Sequence, residues 1–417
     1  MWCGICWDVN GVFVPGINEE HILSATQIFK LTRKTGAGAL QQVCVAGIGT
    51  AGCRVIDRIG GSGVHGATFA ALHTNRSILE ASEVQTRIPL GDEAACAGGC
   101  GGVVERGRKA LEKDIEMVRG LISDCQALIL VAGLGGGTAT GGLPVLLQAA
   151  KGAGVFTAVM LTMPFAFEGE GRRRVADEGL RTIVPLADFT ATISNDALVG
   201  GGDKQMEKAM DHALDGLAAG VCSLWQILAM PSLLALDQGD LRALHLLGDT
   251  ACSFAFGMAT GETRATDAAK SLLDQFPDMA ERVRTGNGVL ACVCASRDLK
   301  ISEVDDALSP LQSGVPDSSV LRAGVVMHDS WRDRVFLSVF TVDARRKVAP
   351  VIRESGGRGK KTKGKQHVAN RASQEELRLE GATVPGQGRF GRTKATILDG
   401  EDLDIPTYVR RNITLDR

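Results

Sequence analysis

Residues 133–142 read G-L-G-G-G-T-A-T-G-G, and they follow the apolar run Ala127, Leu128, Ile129, Leu130, Val131, Ala132. That run has the length and composition of a fully buried strand, and Leu143, Val145, Leu146 and Leu147 beyond the glycines start a helix. The glycines therefore sit at a strand-to-helix turn. Backbone N–H groups converge there, the helix dipole adds partial positive charge, and the absent Cβ atoms let a phosphate approach. The plain alternative is a tight turn needing positive φ, but such a turn asks for one or two glycines rather than a run. No Lys followed by Ser or Thr closes the stretch, so it is not a Walker loop.

Working outward, a short strand over 43–46 runs into Gly47, Ile48, Gly49, Thr50, Ala51 and Gly52. This G-x-G-x-x-G opening a helix is the dinucleotide fingerprint, which needs an acidic residue about 20 positions on to hold a ribose. Between Asp57 and Glu80 there is no Asp or Glu, and the second strand, 68–72, ends in His73, Thr74, Asn75. An NAD-dependent oxidoreductase is thereby reduced to a remote alternative. Further buried strands over 155–161 and 187–193 complete a strand, loop and helix rhythm, which predicts a mostly parallel sheet with ligands at the carboxyl ends of its strands. One helix is expected from about 105 to 123, with Ile115, Val118 and Ile122 on one face. Another is expected over 206–228, where Met206, Met210, Leu214, Leu217, Val221, Leu224 and Leu228 recur three or four apart and predict one buried face. A second α/β domain follows, with strands over 252–258, 288–295, 320–327 and 335–342 and helices over 264–276 and 302–311.

The chain has 417 residues, 44% of them hydrophobic, which is enough for sizeable cores in two or three domains. A net charge of -2 carries no nucleic-acid footprint. Eleven cysteines, several in apolar runs, fit reduced thiols in a cytoplasm better than a disulfide framework. Cys3 and Cys6 read as half a metal site, a redox pair or two incidental thiols, and no metal ligand set is assigned. Glycines and Lys151 interrupt the apolar stretch 125–163, so buried strands explain it and no direct membrane insertion is expected. The amino-terminal stretch carries Asp8 and no basic segment before an apolar core, so no secretory signal is expected. Residues 1–40 form an unassigned extension with an amphipathic helix over 17–31. The polar, glycine-rich stretch 353–388, with Arg358, Lys360, Lys361, Lys363 and Lys365, reads as a solvated tether.

Taken in order, these motifs resemble the tubulin/FtsZ family. Gly135, Gly136, Gly137, Thr138, Thr140 and Gly141 match its phosphate loop G-G-G-T-G-[ST]-G, with Ala139 replacing a glycine. Gly47, Gly49 and Gly52 match the first loop, G-x-G-G-G-G-G-N. Thr50, Ala51 and Cys53 replace glycines there, and Arg54 stands where the family has an asparagine that touches the base. Gly98 to Gly102, followed by Glu105, Gly107, Arg108, Lys109 and Ala110, resemble the segment lining the γ-phosphate. Pro164 to Gly169 with Arg172 resemble P-F-x-F-E-G-x-x-R, in which the glutamate holds ribose hydroxyls and the arginine reaches phosphate or sugar. Without the family, Glu168 and Arg172 are an i, i+4 surface ion pair. Asn195 lies in a P-N-D-like turn. Asp215 matches the aspartate that reads the guanine edge, and Met210 replaces the phenylalanine that stacks on the base. Asp237 and Asp240 match N-x-D-x-x-D, the loop that completes the active site of the neighbouring subunit, with Ala235 replacing the asparagine. Alternatively, Asp237 caps a helix and Asp240 favours its first turn.

The resemblance implies an α/β fold of tubulin/FtsZ type, a Rossmann-like mostly parallel GTPase domain joined by a long central helix to a second α/β domain. It divides the chain into an extension (1–40), a nucleotide-binding domain (41–204), the central helix and catalytic loop (205–249), the second α/β domain (250–345), a linker (346–390) and a tail (391–417). It further implies binding of GTP or GDP with Mg2+ and head-to-tail filaments of a cell-division protein at the cytoplasmic division site. The implied nucleotide contacts are Gly49, Thr50, Ala51, Gly52, Cys53, Arg54, Gly135, Gly136, Gly137, Thr138, Ala139, Thr140, Gly141, Glu168, Arg172, Asn195 and Asp215, with Asp237 and Asp240 of the next subunit activating water. Leu403, Asp404, Ile405, Pro406, Tyr408, Val409 and Arg410 resemble the tail peptide that docks onto division or membrane-adaptor proteins. Because Arg54, Asn75 and Ala235 depart from the family, a structural paralogue with weak or no GTP hydrolysis is the alternative.

Overall fold

The computed structural model describes residues 42–60, 67–92, 98–199, 205–230, 232–316, 319–343, 397–398 and 401–402. The helix expected over 17–31, the Cys3/Cys6 pair, the tether and the docking residues Leu403 to Arg410 lie outside the described residues. The chain separates into two compact units, 1–349 and 350–417. In the second, Ile397–Leu398 pairs antiparallel with Glu401–Asp402.

The first half of the large unit runs β1 (Val43–Ile48), α1 (Gly49–Gly60), β2 (Ala67–His73), α2 (Arg76–Glu80), β3 (Thr86–Pro89), α3 (Val104–Lys113), α4 (Ile115–Ser123), β4 (Ala127–Gly133), α5 (Gly137–Gly152), β5 (Phe156–Met163), α6 (Glu170–Ile183), β6 (Phe189–Ser194) and α7 (Asn195–Val199). Then come α8 (Met206–Ala229), β7 (Ser232–Leu234), α9 (Gln238–Leu246), β8 (Cys252–Thr260), α10 (Arg264–Gln275), α11 (Pro277–Thr285), β9 (Gly288–Ala295), α12 (Ile301–Gln312), β10 (Val320–Met327) and β11 (Arg334–Val342).

Among the described residues these strands form one sheet in the order β3-β2-β1-β4-β5-β6-β8-β11-β9-β10-β7. From β3 to β6 every pair is parallel, and β8 continues parallel to β6. Beyond it the sheet becomes mixed, with β11 antiparallel to β8 and β9, β10 parallel to β9, and β7 antiparallel at the edge. The α/β class and the mostly parallel sheet expected from sequence are therefore present. Along β1, Val43 and Val45 enter one core while Cys44, Ala46 and Ile48 enter the other, and β4 divides in the same way. With both faces covered, these strands show unbroken apolar runs instead of alternation. The chain winds one way from β1 and the other way from β4, so the two adjacent strands mark the switch point where open α/β sheets hold ligands.

Two expectations need correction. The helix expected from about 105 to 123 breaks at Asp114, whose backbone leaves the helix (φ -101°, ψ 23°) while its carboxylate accepts from the Gly91 N–H at 2.5 Å. The single buried face expected for α8 holds only near its start. From Gly216 to Ala229 every residue is buried, because this segment is nearly all apolar and has packing on every side. Met206 and Met210, by contrast, are exposed. The short edge strands β3 and β7 and the helix α11 carry too little apolar periodicity to be read from sequence.

Candidate functional site

The turns that follow β1 and β4 open into one cleft of about 340 Å³. Its floor includes Gly49, Thr50 and Ala51 at the start of α1 and Gly136, Gly137, Thr138 and Ala139 at the start of α5. Neither helix has an acidic residue in its first turn, and α5 begins at Gly136 without a side-chain cap. Free N–H groups and the positive ends of two helix dipoles thus meet in one concavity, the arrangement that binds anions. A Cβ at Gly136 would meet nothing within 4 Å, so the space beside it is left for a ligand.

The other glycines of the run have different duties. Gly135 makes the turn at φ +89°, and its N–H donates to Thr140 Oγ1 at 3.0 Å. A Cβ on Gly141 would lie 2.0 Å from the Val104 carbonyl oxygen, and one on Gly107 2.0 Å from that of Gly137. Much of the glycine run lets α3 and α5 touch. Gly52 likewise serves contact with the Val131 carbonyl, and the Cys53 thiol is buried toward the Leu72 carbonyl at 3.6 Å. Of the expected contacts, Gly52, Cys53, Gly135, Thr140, Gly141 and Asp215 therefore fall outside the cleft lining.

Beneath the anion end lies a polar layer in which the expected contact Thr138 is joined by His73, Thr74 and Cys100. His73 is buried; its Nδ1 faces the Asn75 N–H at 2.7 Å and its Nε2 faces Thr50 Oγ1 at 3.1 Å. Burial lowers its pKa from 6.5 to about 4. Thr138 Oγ1 shares a hydrogen bond of 2.7 Å with Thr74 Oγ1, and the Cys100 thiol touches both hydroxyls. Asn75 caps α2 by accepting from the Ser77 N–H at 3.0 Å. His73 and Thr162 close the carboxyl ends of β2 and β5, and the rule that parallel-sheet ligands sit there would have pointed to both.

The wall away from the anion end carries Ile78, Phe165, Met210, Leu214 and Arg54. Among the described residues Arg54 has no ion-pair partner. Glu168 accepts from the Phe165 N–H at 2.8 Å and pairs with Arg172 at 2.8 Å, so the i, i+4 pair exists within the cleft. Asn195, also lining the cleft, hydrogen-bonds to Thr162 Oγ1. Asp215 faces α1 instead. Arg58 donates to Asp215 Oδ1 and to Asp211 Oδ1, both at 2.6 Å.

Asp237 and Asp240 are at the opposite pole. Asp237 caps α9 by accepting from the Gly239 and Asp240 N–H groups, and Asp240 returns the contact through the Asp237 N–H. The second oxygen of Asp240 is paired with Arg322 of β10. Arg242 of α9 bonds Asp188, which precedes β6, whereas the cleft residue Asn195 follows β6. These carboxylates therefore sit beyond the amino ends of the parallel strands and do not line their own chain's cleft.

Among the described residues no group of three His, Cys, Asp or Glu could hold a metal ion. Among the described residues, Glu168 is the one carboxylate that lines the cleft, and it is paired with Arg172. No helix among the described residues is long and apolar enough to cross a membrane.

Comparison with known proteins gives a consistent set of likenesses. Residues 42–202 match the model of the Tubulin/FtsZ family, GTPase domain. The cell division protein FtsZ of Pseudomonas putida is 26% identical over 382 residues, covering 88% of this chain and 96% of that protein. Of solved structures, an empty FtsZ dimer of M. jannaschii is 25% identical with a TM-score of 0.64, covering 72% of this chain and 88% of the other. CetZ2 of Haloferax volcanii, solved as a GTPgS-bound protofilament, is 21% identical with a TM-score of 0.58, covering 73% and 94%, a likeness of fold alone.

Proposed function

We propose that this chain is a member of the tubulin/FtsZ family that binds GTP in the cleft between α1 and α5 and hydrolyses it on assembling head to tail into a cytoplasmic cell-division filament. The observation that carries this reading is the convergence of two acid-free helix N-termini at the sheet's switch point. The triphosphate lies across Gly49 to Ala51 and Gly136 to Ala139, and the Arg172 guanidinium and Glu168 carboxylate suit phosphate and ribose hydroxyls respectively. Cleavage needs a group that polarises water, and among the described residues no carboxylate lines the cleft's anion end. Asp237 and Asp240 lie at the other pole, which supports their acting on the nucleotide of the next subunit. In the lone chain Asp240 is paired with Arg322, so water activation requires that pairing to loosen on assembly. The tail residues Leu403 to Arg410 dock onto division or membrane-adaptor proteins.

A second reading, a structural paralogue with little turnover, is favoured by the engagement of Asp215 with Arg58 and of Asp240 with Arg322. Following phosphate release and light scattering with GTP, for the full chain and for Asp240→Ala, separates the two. Turnover that rises with assembly and disappears in the variant supports the enzyme. Filaments without phosphate release support the paralogue, and absence of both nucleotide uptake and assembly overturns both readings.

A further inference from the structure

The Asn75 backbone N–H is a donor and nothing else, and it lies 2.7 Å from His73 Nδ1. That nitrogen must present its lone pair. The ring is neutral above its lowered pKa of about 4, so its one proton is on Nε2. Nε2 in turn faces Thr50 Oγ1 at 3.1 Å, so the ring donates and the threonine oxygen accepts. The opposite tautomer would set two N–H groups against each other at Nδ1 and remove the donor toward Thr50. A backbone amide on one side of the ring thus decides the direction of a hydroxyl on the other.

Thr50 has one proton to give. Its oxygen makes no other hydrogen bond among the described residues, and the side chain is exposed and lines the cleft in the first turn of α1. We propose that His73 is a positioning residue that turns the Thr50 hydroxyl outward, making Thr50 a side-chain donor to an anionic oxygen of the ligand. The inference rests on the nucleotide-binding reading and adds a contact to it.

The test uses the full chain, with calorimetric titration of GDP and NMR of protein labelled with 15N in its histidines. His73 is expected to show a protonated Nε2 and an unprotonated Nδ1 at pH 7. Thr50→Val should weaken GDP binding about tenfold, the usual loss for a hydrogen bond to a charged group, while Thr50→Ser stays within about twofold of the parent. His73→Phe, which keeps the ring volume, should weaken binding to a similar degree. His73→Gln can accept from the Asn75 N–H and donate to Thr50, and so should restore most of it. The Thr50→Val/His73→Phe double variant should bind no more weakly than Thr50→Val alone. Unchanged affinity in Thr50→Val, multiplying losses in the double variant, or a proton on Nδ1 would each overturn the inference while leaving the nucleotide reading intact. A parent chain that takes up no GDP would overturn both.

Discussion

The two ends of the cleft offer different means of recognition. At the anion end backbone N–H groups at the starts of α1 and α5 are available, and the lining there is glycine, alanine and threonine. At the other end only side chains are available. There Met210 and Leu214 line the wall, Arg54 supplies positive charge, and Asp215 is turned away to Arg58. A recognition surface made of backbone is held by the turns themselves and survives exchange of side chains around it. One made of side chains depends on their neighbours, as the Arg58–Asp215 pair illustrates. The turns at the starts of α1 and α5 thus depend on few side chains, whereas the opposite wall depends on several.

The contrast can be broken or sharpened by mutation. The largest effect is expected from Gly141→Val, which drives a side chain into the Val104 carbonyl oxygen at the α3–α5 contact. It should destabilise the protein by about 3 kcal/mol or more and lower its melting temperature by several degrees, as seen in thermal denaturation. A melting temperature equal to the parent's would mean that the glycine run serves the ligand rather than the packing.

Next is His73. Its folded pKa of about 4 lies below the unfolded value near 6.5, so between these limits the unfolded chain binds more protons. Stability is then fully present above pH 6.5 and is lost as pH falls toward 4, by about 3 kcal/mol over the window. His245, also shifted down by burial, acts in the same direction. Denaturant titrations from pH 7 to pH 4 should show a shallower loss in His73→Gln, and an unchanged slope would remove His73 as the cause.

Arg58→Ala should cost no more than about 1 kcal/mol of stability, because its ion pairs are partly solvated. It removes the Arg58 partner from Asp215, and if Asp215 then reads the guanine edge, competition titrations should show a several-fold gain in preference for GTP over ATP. If selectivity stays flat, Asp215 has no part in base recognition. The smallest change in stability, a few tenths of a kcal/mol, is expected from Gly136→Ala, where the added Cβ meets only open space. Nucleotide affinity should nevertheless fall at least tenfold, and equal affinity would place the phosphates elsewhere.

The parallel half was legible because most of its strands are buried on both faces and so appear as apolar runs, those of β1 and β4 running into glycine. Gly288–Ala295 and Val320–Met327 have the boundaries expected from the sequence. β3, with the sequence T-R-I-P, offered no such run. In the site, the motif residues at the starts of α1 and α5 were legible from glycine spacing, but spacing does not show which way a side chain turns. The orientation of Cys53 into the core, the withdrawal of Asp215 and the pairing of Asp240 with Arg322 each depend on residues distant in the chain. His73 was missed because a histidine at a strand end has no motif of its own; its importance comes from what stands on either side of it.

The enclosure of α8 from Gly216 to Ala229 has a consequence for sequence drift. A helix with a wet side can accumulate charged and polar exchanges there at little cost, whereas this one has no such side, and each inserted charge would be stranded away from water. Neutral variation should therefore gather in the first two turns, around Met206 and Met210, and thin out abruptly past Leu214. Beyond that point the admissible changes are swaps of one apolar shape for another of nearly the same volume.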